Sequence, residues 1–241
     1  MTEKQTAAAG GGGGPAALPG RATTRNLLAC GVLGGPLFIV VVTAQVLTRD
    51  GFDPKEHPLS LLSVGPLGWI QIANFVLAGA LFIAAAVGMR RVLHPGRGGT
   101  WGPWLIGAFG VGLVWGGVFV VDPSLGYPPG TPPGIPDQQS WHSALHTVAP
   151  VAASLAVGAA CLVFAGRFAG LGQWGWAAYS VTSAVVGFAL SSMAMSAQDF
   201  RLLFAGGAVT WIWASVMAAR LMLPLTAPAA PIPAQAEPTS A

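Results

Sequence analysis

Six apolar stretches of about 20 residues each constrain how this chain can fold. A helix of that length is what crosses the hydrocarbon core of a bilayer. Backbone groups inside lipid must bond to one another, and the stretches lack the alternation of polar and apolar residues that indicates a membrane β-barrel. We therefore predict helical spans at Asn26–Leu47, Pro66–Met89, Gly102–Val121, His142–Phe164, Trp174–Ser196 and Leu202–Met222.

Charged residues are too scarce for a water-soluble domain. They make up 8% of the 241 residues, whereas soluble domains average about 25%. The predicted fold is therefore all-α, a six-helix membrane bundle over residues 25–222 that contacts the lipid bilayer. Residues 1–24 and 223–241, rich in Gly, Ala, Pro and Thr, are predicted to be disordered cytoplasmic tails. The basic residues lie at helix ends, so no nucleic-acid partner is expected.

The basic residues of the tails and loops predict the orientation. Short loops rich in Lys and Arg stay in the cytoplasm. The set of segments that includes both tails holds Lys4, Arg21, Arg25, Arg90, Arg91, Arg97, Arg167 and Arg220, whereas the other set holds only Arg49, Lys55 and Arg201. We therefore predict a multi-pass protein of the cell membrane with both termini in the cytoplasm.

A pair of histidines opens the fourth apolar stretch. His142 and His146 are four residues apart and so share one face of a helix, and Asp122 ends the preceding stretch. Zinc binds imidazole nitrogens and carboxylate oxygens, and a catalytic zinc site uses three protein ligands and one open position. His142, His146 and Asp122 are therefore candidate metal ligands and zinc a candidate cofactor. Such a metal activates water for the hydrolysis of an ester or amide.

The same residues have simpler interpretations, which the sequence leaves open. His142 can sit at the membrane interface and His146 can form a hydrogen bond between helices, or the pair can contact a ligand or relay protons. The spacing lacks the intervening Glu that serves as general base in zinc proteases. Asp122 is a candidate ligand or water-orienting base, and capping a helix end or a loop is the simpler account of it.

Two further groups of polar residues flank the start of the second span. His57 and Ser60 are candidate catalytic residues, with His57 just before a proline that suits the first turn of a short helix. Capping of a turn also explains Ser60. Gln71 and Asn74 share a helical face, which we expect to point inward because unpaired amides are unfavourable in lipid. They either bond neighbouring helices or line a path for a polar ligand.

Three segments of the chain resemble a known family. They are the run from His57 to Phe75 (HPLSLLSVGPLGWIQIANF), Asp122-Pro123 with the later GYPPG, and Trp141 followed by the histidine pair. These resemble the bacterial family labelled domain of unknown function 998, over residues 25–222. The resemblance implies a six-helix membrane protein without an assigned activity and transfers no catalytic roles. A looser similarity is to membrane hydrolases of the alkaline ceramidase and adiponectin-receptor kind, which combine Ser, Asp and His around zinc within seven helices.

Several functions are compatible with these features. The leading interpretation is a membrane protein whose His/Asp cluster at the outer face binds a lipid, another small molecule or a metal. The alternatives are a zinc-dependent hydrolase acting on lipid, a small transporter or permease subunit with Gln71 and Asn74 on its path, and a structural partner in a cell-envelope complex. The sequence does not decide between these functions, and it does not determine the oligomeric state.

Overall fold

The computed structural model describes residues 20–226, and within this range the chain forms six α-helices, one short 3-10 helix and no β-strand. The predicted tails lie largely outside the described residues. The helices are α1 (Arg21–Thr48), α2 (Gly68–Leu93), α3 (Trp101–Val118), α4 (Trp141–Gly170), α5 (Trp174–Ala197) and α6 (Phe200–Thr226), and the 3-10 helix is Leu59–Ser63. Each of the six is long and apolar enough to cross a membrane. The prediction of an all-α, six-span protein is confirmed.

Helix α3 ends earlier than predicted. Its last helical residue is Val118 and not Val121, so Asp122 lies in the following loop and not at the helix end. Phe119 is already extended, and the carbonyls of Phe119 and Val120 accept hydrogen bonds from the histidine side chains of α4. These side-chain donors replace the backbone donors that would continue the helix.

Three other helices extend furthest beyond their predicted spans. Helix α1 begins at Arg21 rather than Asn26, α4 continues to Gly170, and α6 continues to Thr226. Each contains one proline inside the helix, Pro36, Pro150 or Pro224. Membrane helices tolerate proline where neighbouring groups satisfy the backbone. Beside Pro36, for example, the Gly35 N–H donates to the Ser215 hydroxyl on α6 (3.1 Å).

The six helices form a closed ring in chain order. Each helix packs against its neighbours in sequence, and α6 returns to pack against α1. Helix α6 also contacts α2 and α4, which places it towards the middle of the ring. Trp213 on α6 is fully buried there, edge-on to Phe164 of α4, with its indole N–H donating to Ser180 on α5 (3.1 Å).

Helices α2 and α3 cross at a pair of glycines. A Cβ atom built on Gly79 would lie 2.5 Å from the Gly110 carbonyl oxygen, and one built on Gly110 would lie 2.7 Å from that of Gly79. Only residues without a side chain allow backbones to approach this closely. The crossing fixes the separation of α2 and α3, and with it the position of the loop that follows α3.

The two ends of the bundle differ in their loops. One end, called here the loop end, carries the segments 49–67, 119–140 and 198–199. The opposite end carries the shorter segments 94–100 and 171–173. At the loop end, the Phe200 N–H donates to the Lys55 carbonyl (2.9 Å). All the candidate site residues lie at the loop end or in the turns of helix just beneath it.

Candidate functional site

His57 joins the two long loops of the loop end. Its Nδ1 accepts the Asp53 N–H (2.9 Å), and its Nε2 donates to the Leu125 carbonyl (3.0 Å). The side chain is buried and packs against the rings of Phe52 and Tyr127 at centroid distances of 5.4 and 5.5 Å. Both ring nitrogens are therefore committed to holding the loops together, and neither is available as a base or a ligand in this arrangement.

Ser60 lies in the 3-10 helix next to His57 and is half-buried. Within residues 20–226, its hydroxyl makes no hydrogen bond to a histidine or a carboxylate. A serine nucleophile needs such a base to become reactive. Ser60, a candidate catalytic residue, therefore has no activating partner among the described residues in this conformation.

Asp122 is bound to the residue that caps α4. One carboxylate oxygen accepts the Ser140 hydroxyl (2.6 Å) and the other accepts the Ser140 N–H (2.7 Å). The Ser140 Oγ in turn accepts the Ser143 N–H, which is the N-cap bond of α4 (3.2 Å). The Ser140 hydroxyl holds the pKa of Asp122 below its ordinary value of 3.8, with smaller contributions from the Ser140 N–H and from His142, while burial opposes them. The carboxylate thus stays ionised beside the positive end of the helix dipole.

The two histidines of α4 reach back to the end of α3. His142 Nδ1 lies 2.9 Å from the Val120 carbonyl oxygen, and His146 Nδ1 lies 2.6 Å from that of Phe119. A carbonyl only accepts, so both Nδ1 atoms carry a proton and donate it. The prediction that both histidines share one face of the helix agrees with these contacts, because they bond to consecutive carbonyls.

In the neutral tautomer that carries its proton on Nδ1, the Nε2 atom of each ring is an acceptor. Among the described residues, neither Nε2 has a hydrogen-bond partner. The two rings differ in access, since the His142 side chain is 43% exposed whereas His146 is 5% exposed. His142 Nδ1 is also 3.0 Å from the Ser140 Oγ, which links it through that hydroxyl to Asp122. The structure therefore orients His142 with its free nitrogen away from this polar cluster.

A shallow groove of about 340 Å³ runs beside His142. Its remaining lining is apolar and comes from both sides of the α3–α4 junction: Val118, Phe119, Val120 and Trp141. Val118 and Trp141 are exposed, and Phe119 stacks edge-on to Trp141 at 6.0 Å. Aromatic residues at a helix end are typical of the membrane–water interface. The groove thus combines lipid-facing walls with one polar ring.

A third metal ligand is missing from the described part of the chain. No group of three or more His, Cys, Asp and Glu side chains within it could hold a metal ion. His142 Nδ1 lies 4.0 Å from an oxygen of Asp122, but that carboxylate is bound to Ser140 and the nitrogen to a carbonyl. The three residues predicted as a zinc site therefore meet as a hydrogen-bonded junction.

Gln71 and Asn74 belong to a second buried polar group. As predicted, they point inward, where Gln71 is 0% exposed and Asn74 is 4% exposed. Gln71 Oε1 accepts from Gln45 of α1 (2.7 Å), and Asn74 Nδ2 donates to the Phe38 carbonyl (3.2 Å). Beyond Asn74, the buried face of α2 is apolar or glycine. The polar face therefore begins at the loop end and stops at Asn74.

Sequence reasoning missed three residues of these two clusters. Ser140 has a signal, since a serine just before an apolar helix is a typical N-cap. Gln45 also has one, as a lone amide in an otherwise apolar segment. Arg49, which donates to Gln45 (2.8 Å), carries no signal in the sequence beyond its charge in the loop.

The fold and this junction define the class of protein: an integral membrane protein of six helices with a polar α3–α4 junction at one end. A protein-family model described as "Protein of unknown function (DUF998)" matches residues 32–225, and the chain belongs to that family. No protein with a curated description and no solved structure matches the chain. The family resemblance noted from the sequence is confirmed.

Proposed function

We propose that the protein is a binding protein of the cell membrane that holds an amphiphilic ligand, a lipid or a lipid-like small molecule, in the groove beside His142. The observation that carries the proposal is the lining of that groove, in which four apolar residues surround one histidine. Binding sites of this type combine mostly apolar walls with a few oriented polar groups. The position at the ends of two spans suits a ligand with its tail in lipid and its polar end in water.

The polar end of the ligand would donate a hydrogen bond to His142. Its Nε2 is the acceptor of the ring, because Nδ1 donates to Val120. The ionised Asp122 lies 4.0 Å from that ring and favours a positive partner over a negative one. A headgroup with an ammonium donor, such as that of phosphatidylethanolamine, is therefore expected to bind better than phosphatidylglycerol, whose hydroxyls also donate but whose net charge is negative.

The loop end would face away from the cytoplasm. Eight of the basic residues lie in the N-terminal tail or towards the opposite end, with Arg220 inside α6, and three lie at the loop end, with Arg201 in the first turn of α6. Reporter enzymes that are active on only one side of the membrane, fused after Gly130 and after Gly172, would test this orientation. Activity of the external reporter at Gly130 alone is expected, and the reverse pattern would contradict the orientation.

Metal binding by His142 and His146 is the second candidate, and one observation favours it. Histidines that bind metals through Nε2 commonly donate Nδ1–H to a carbonyl, which fixes the ring, and both of these do so. No third protein ligand joins them among residues 20–226, so the remaining positions would fall to water or to the ligand itself. A zinc-dependent hydrolase would need this site.

Native mass spectrometry of the purified protein tests the first proposal. The wild type, His142→Ala and His94→Ala would be incubated with phosphatidylethanolamine or phosphatidylglycerol. His94 is exposed at the opposite end and serves as the matched control. Retention of phosphatidylethanolamine by the wild type and by His94→Ala, with loss in His142→Ala, is expected. Equal retention by all three proteins would reject the groove as the binding site.

Elemental mass spectrometry of the same preparations distinguishes the amphiphile site from the metal site. About one zinc per chain, lost in both His142→Ala and His146→Ala while the fold is retained, would favour the metal site. Such a result would redirect the search towards hydrolysis of lipid esters or amides. Lipid retention that depends on His142 in metal-free protein would instead support the amphiphile site.

A further inference from the structure

Four polar side chains form a ladder from the loop end into the seam between α1 and α2. Arg49 Nη2 donates to Gln45 Oε1 (2.8 Å), Gln45 Nε2 donates to Gln71 Oε1 (2.7 Å), and Asn74 Nδ2 donates to the same oxygen (3.3 Å). Arg49 is held in turn by the carbonyls of Leu62 and Leu67. The ladder is distinct from the junction that contains His142.

Arg49 sets the direction of every bond in the ladder. A guanidinium only donates, so the oxygen of Gln45 must face it and the Gln45 nitrogen must face Gln71. A reversed Gln71 amide would bring three donor nitrogens together. A reversed Asn74 amide would put its oxygen 3.2 Å from the Phe38 carbonyl oxygen. The amide orientations are therefore determined by the network.

This direction leaves two complementary atoms without partners. Gln71 Nε2, which has two N–H donors, and Asn74 Oδ1, which is an acceptor, are buried and make no hydrogen bond with protein atoms. They lie on one face of α2, three residues apart. Buried polar atoms are almost always hydrogen-bonded, so two unsatisfied ones on the same helix face indicate a bound molecule that satisfies both.

Ser63 lies nearer the loop end than these two residues and adds a third buried polar atom. Its hydroxyl is also buried and without a partner. A Cβ built on Gly68 would overlap the Ser63 carbonyl, which places Ser63 against α2 one turn before Gln71. Ser63 thus lies against the first turn of α2, next to the turn that carries Gln71.

We propose that Gln71 and Asn74 hold bound water in the α1–α2 seam, and that Ser63 continues this hydration site towards the loop end. Water both accepts from Gln71 Nε2 and donates to Asn74 Oδ1, and buried waters typically make about three such bonds. An anion would be repelled by Asn74 Oδ1 and a cation by the donors of Gln71. The seam is closed beneath by Phe38, whose ring packs on Phe75 (5.2 Å) and Trp211 (4.4 Å).

Radiolytic footprinting of the purified full-length protein tests this site. An X-ray pulse converts bound water into hydroxyl radicals, which oxidise the adjacent side chains whether or not these are exposed. Phe38 is the reporter, because its carbonyl binds Asn74. Phe82 and Phe109 are equally buried but lie in the apolar core, and serve as internal controls. Oxidation of Phe38, with none at the two controls, is expected in the wild type.

Two variants locate the water that causes the oxidation. Gln71→Leu/Asn74→Leu removes both atoms of the proposed site and should abolish the labelling of Phe38. Ser180→Ala, which disturbs another buried hydrogen bond, should leave it unchanged. Oxidation of wild-type Phe38 no higher than that of Phe82 and Phe109 would overturn the proposal, and so would labelling that persists in the double variant. If the double variant fails to fold, the wild-type comparison still decides.

Discussion

At the scale of single residues, the three histidines of the loop end divide into a structural one and two that keep a free nitrogen. His57 bonds through both ring nitrogens, whereas His142 and His146 bond through Nδ1 only. The sequence could not separate these roles, because the carbonyls to which these histidines donate belong to residues distant in the chain. The spacing of His142 and His146 was informative only because both face the same end of α3.

Replacing His57 by leucine should destabilise the loop end. Two partly buried hydrogen bonds, to the Asp53 N–H and the Leu125 carbonyl, would be lost together with the packing of the buried ring, which lowers the free energy of unfolding by about 1–3 kcal/mol. Thermal unfolding in detergent measures the effect. His94→Leu is the control, since that side chain is exposed and its replacement should change stability by about 0.5 kcal/mol or less. Equal melting temperatures for the two variants would contradict the role given to His57.

Asp122 should make the stability of the protein depend on pH. The Ser140 hydroxyl lowers the pKa of this carboxyl in the folded state, so the ionised form stabilises the fold above the unfolded-state value of 3.8. That contribution is lost as the pH falls through the lower folded-state pKa. Asp122→Asn should therefore be less stable than the wild type at neutral pH, and the difference should begin to shrink as the pH falls below 3.8.

The melting temperature between pH 7 and pH 3 provides this comparison. Asp137→Asn, at an exposed position of the same loop, should follow the wild type throughout the range. A constant difference between the wild type and Asp122→Asn at every pH would show that the effect of the substitution is not electrostatic.

At the scale of helices, the glycine crossing of α2 and α3 is the most sensitive contact. Gly79→Ala would place a methyl group 2.5 Å from the Gly110 carbonyl oxygen and 2.9 Å from the Val114 nitrogen, both of them backbone atoms. The helices must then separate, which should destabilise the fold by about 1–3 kcal/mol. Thermal unfolding again gives the measurement.

Gly158→Ala on α4 is the matched control for this prediction. No atom lies within 4 Å of the added methyl group, so the change should be neutral or stabilise the helix by about 0.5–1 kcal/mol. Equal melting temperatures for Gly79→Ala and Gly158→Ala would show that the crossing is not a critical contact.

The six spans were predictable because apolar length is a property of each segment alone. The end of α3 was not, since it depends on carbonyls that turn towards His142 and His146 of the next helix. For the same reason, the inward orientation of Gln71 could be predicted but its partner, Gln45, could not. Contacts between distant segments leave no local pattern.

At the scale of the whole molecule, the ring of helices places two polar clusters at the same end. One lies at the α3–α4 junction and opens into the groove, and the other lies buried in the α1–α2 seam. The opposite end has a depression of about 560 Å³ between α4 and α5, lined by Ala165, Gly166, Ala169, Trp174, Ala177, Ala178 and Val181, and it contains no histidine. The molecule thus offers an apolar reference surface for the proposed amphiphile site.

Photo-crosslinking in membranes compares these two surfaces directly. A phosphatidylethanolamine with a photoreactive group in its acyl chain would be activated in vesicles that contain the protein, and the labelled peptides identified by mass spectrometry. We predict labels concentrated at residues 118–120 and at Trp141 and His142, and their loss in His142→Ala. Labels spread evenly over the lipid-facing helices, or concentrated in the α4–α5 depression, would contradict the account.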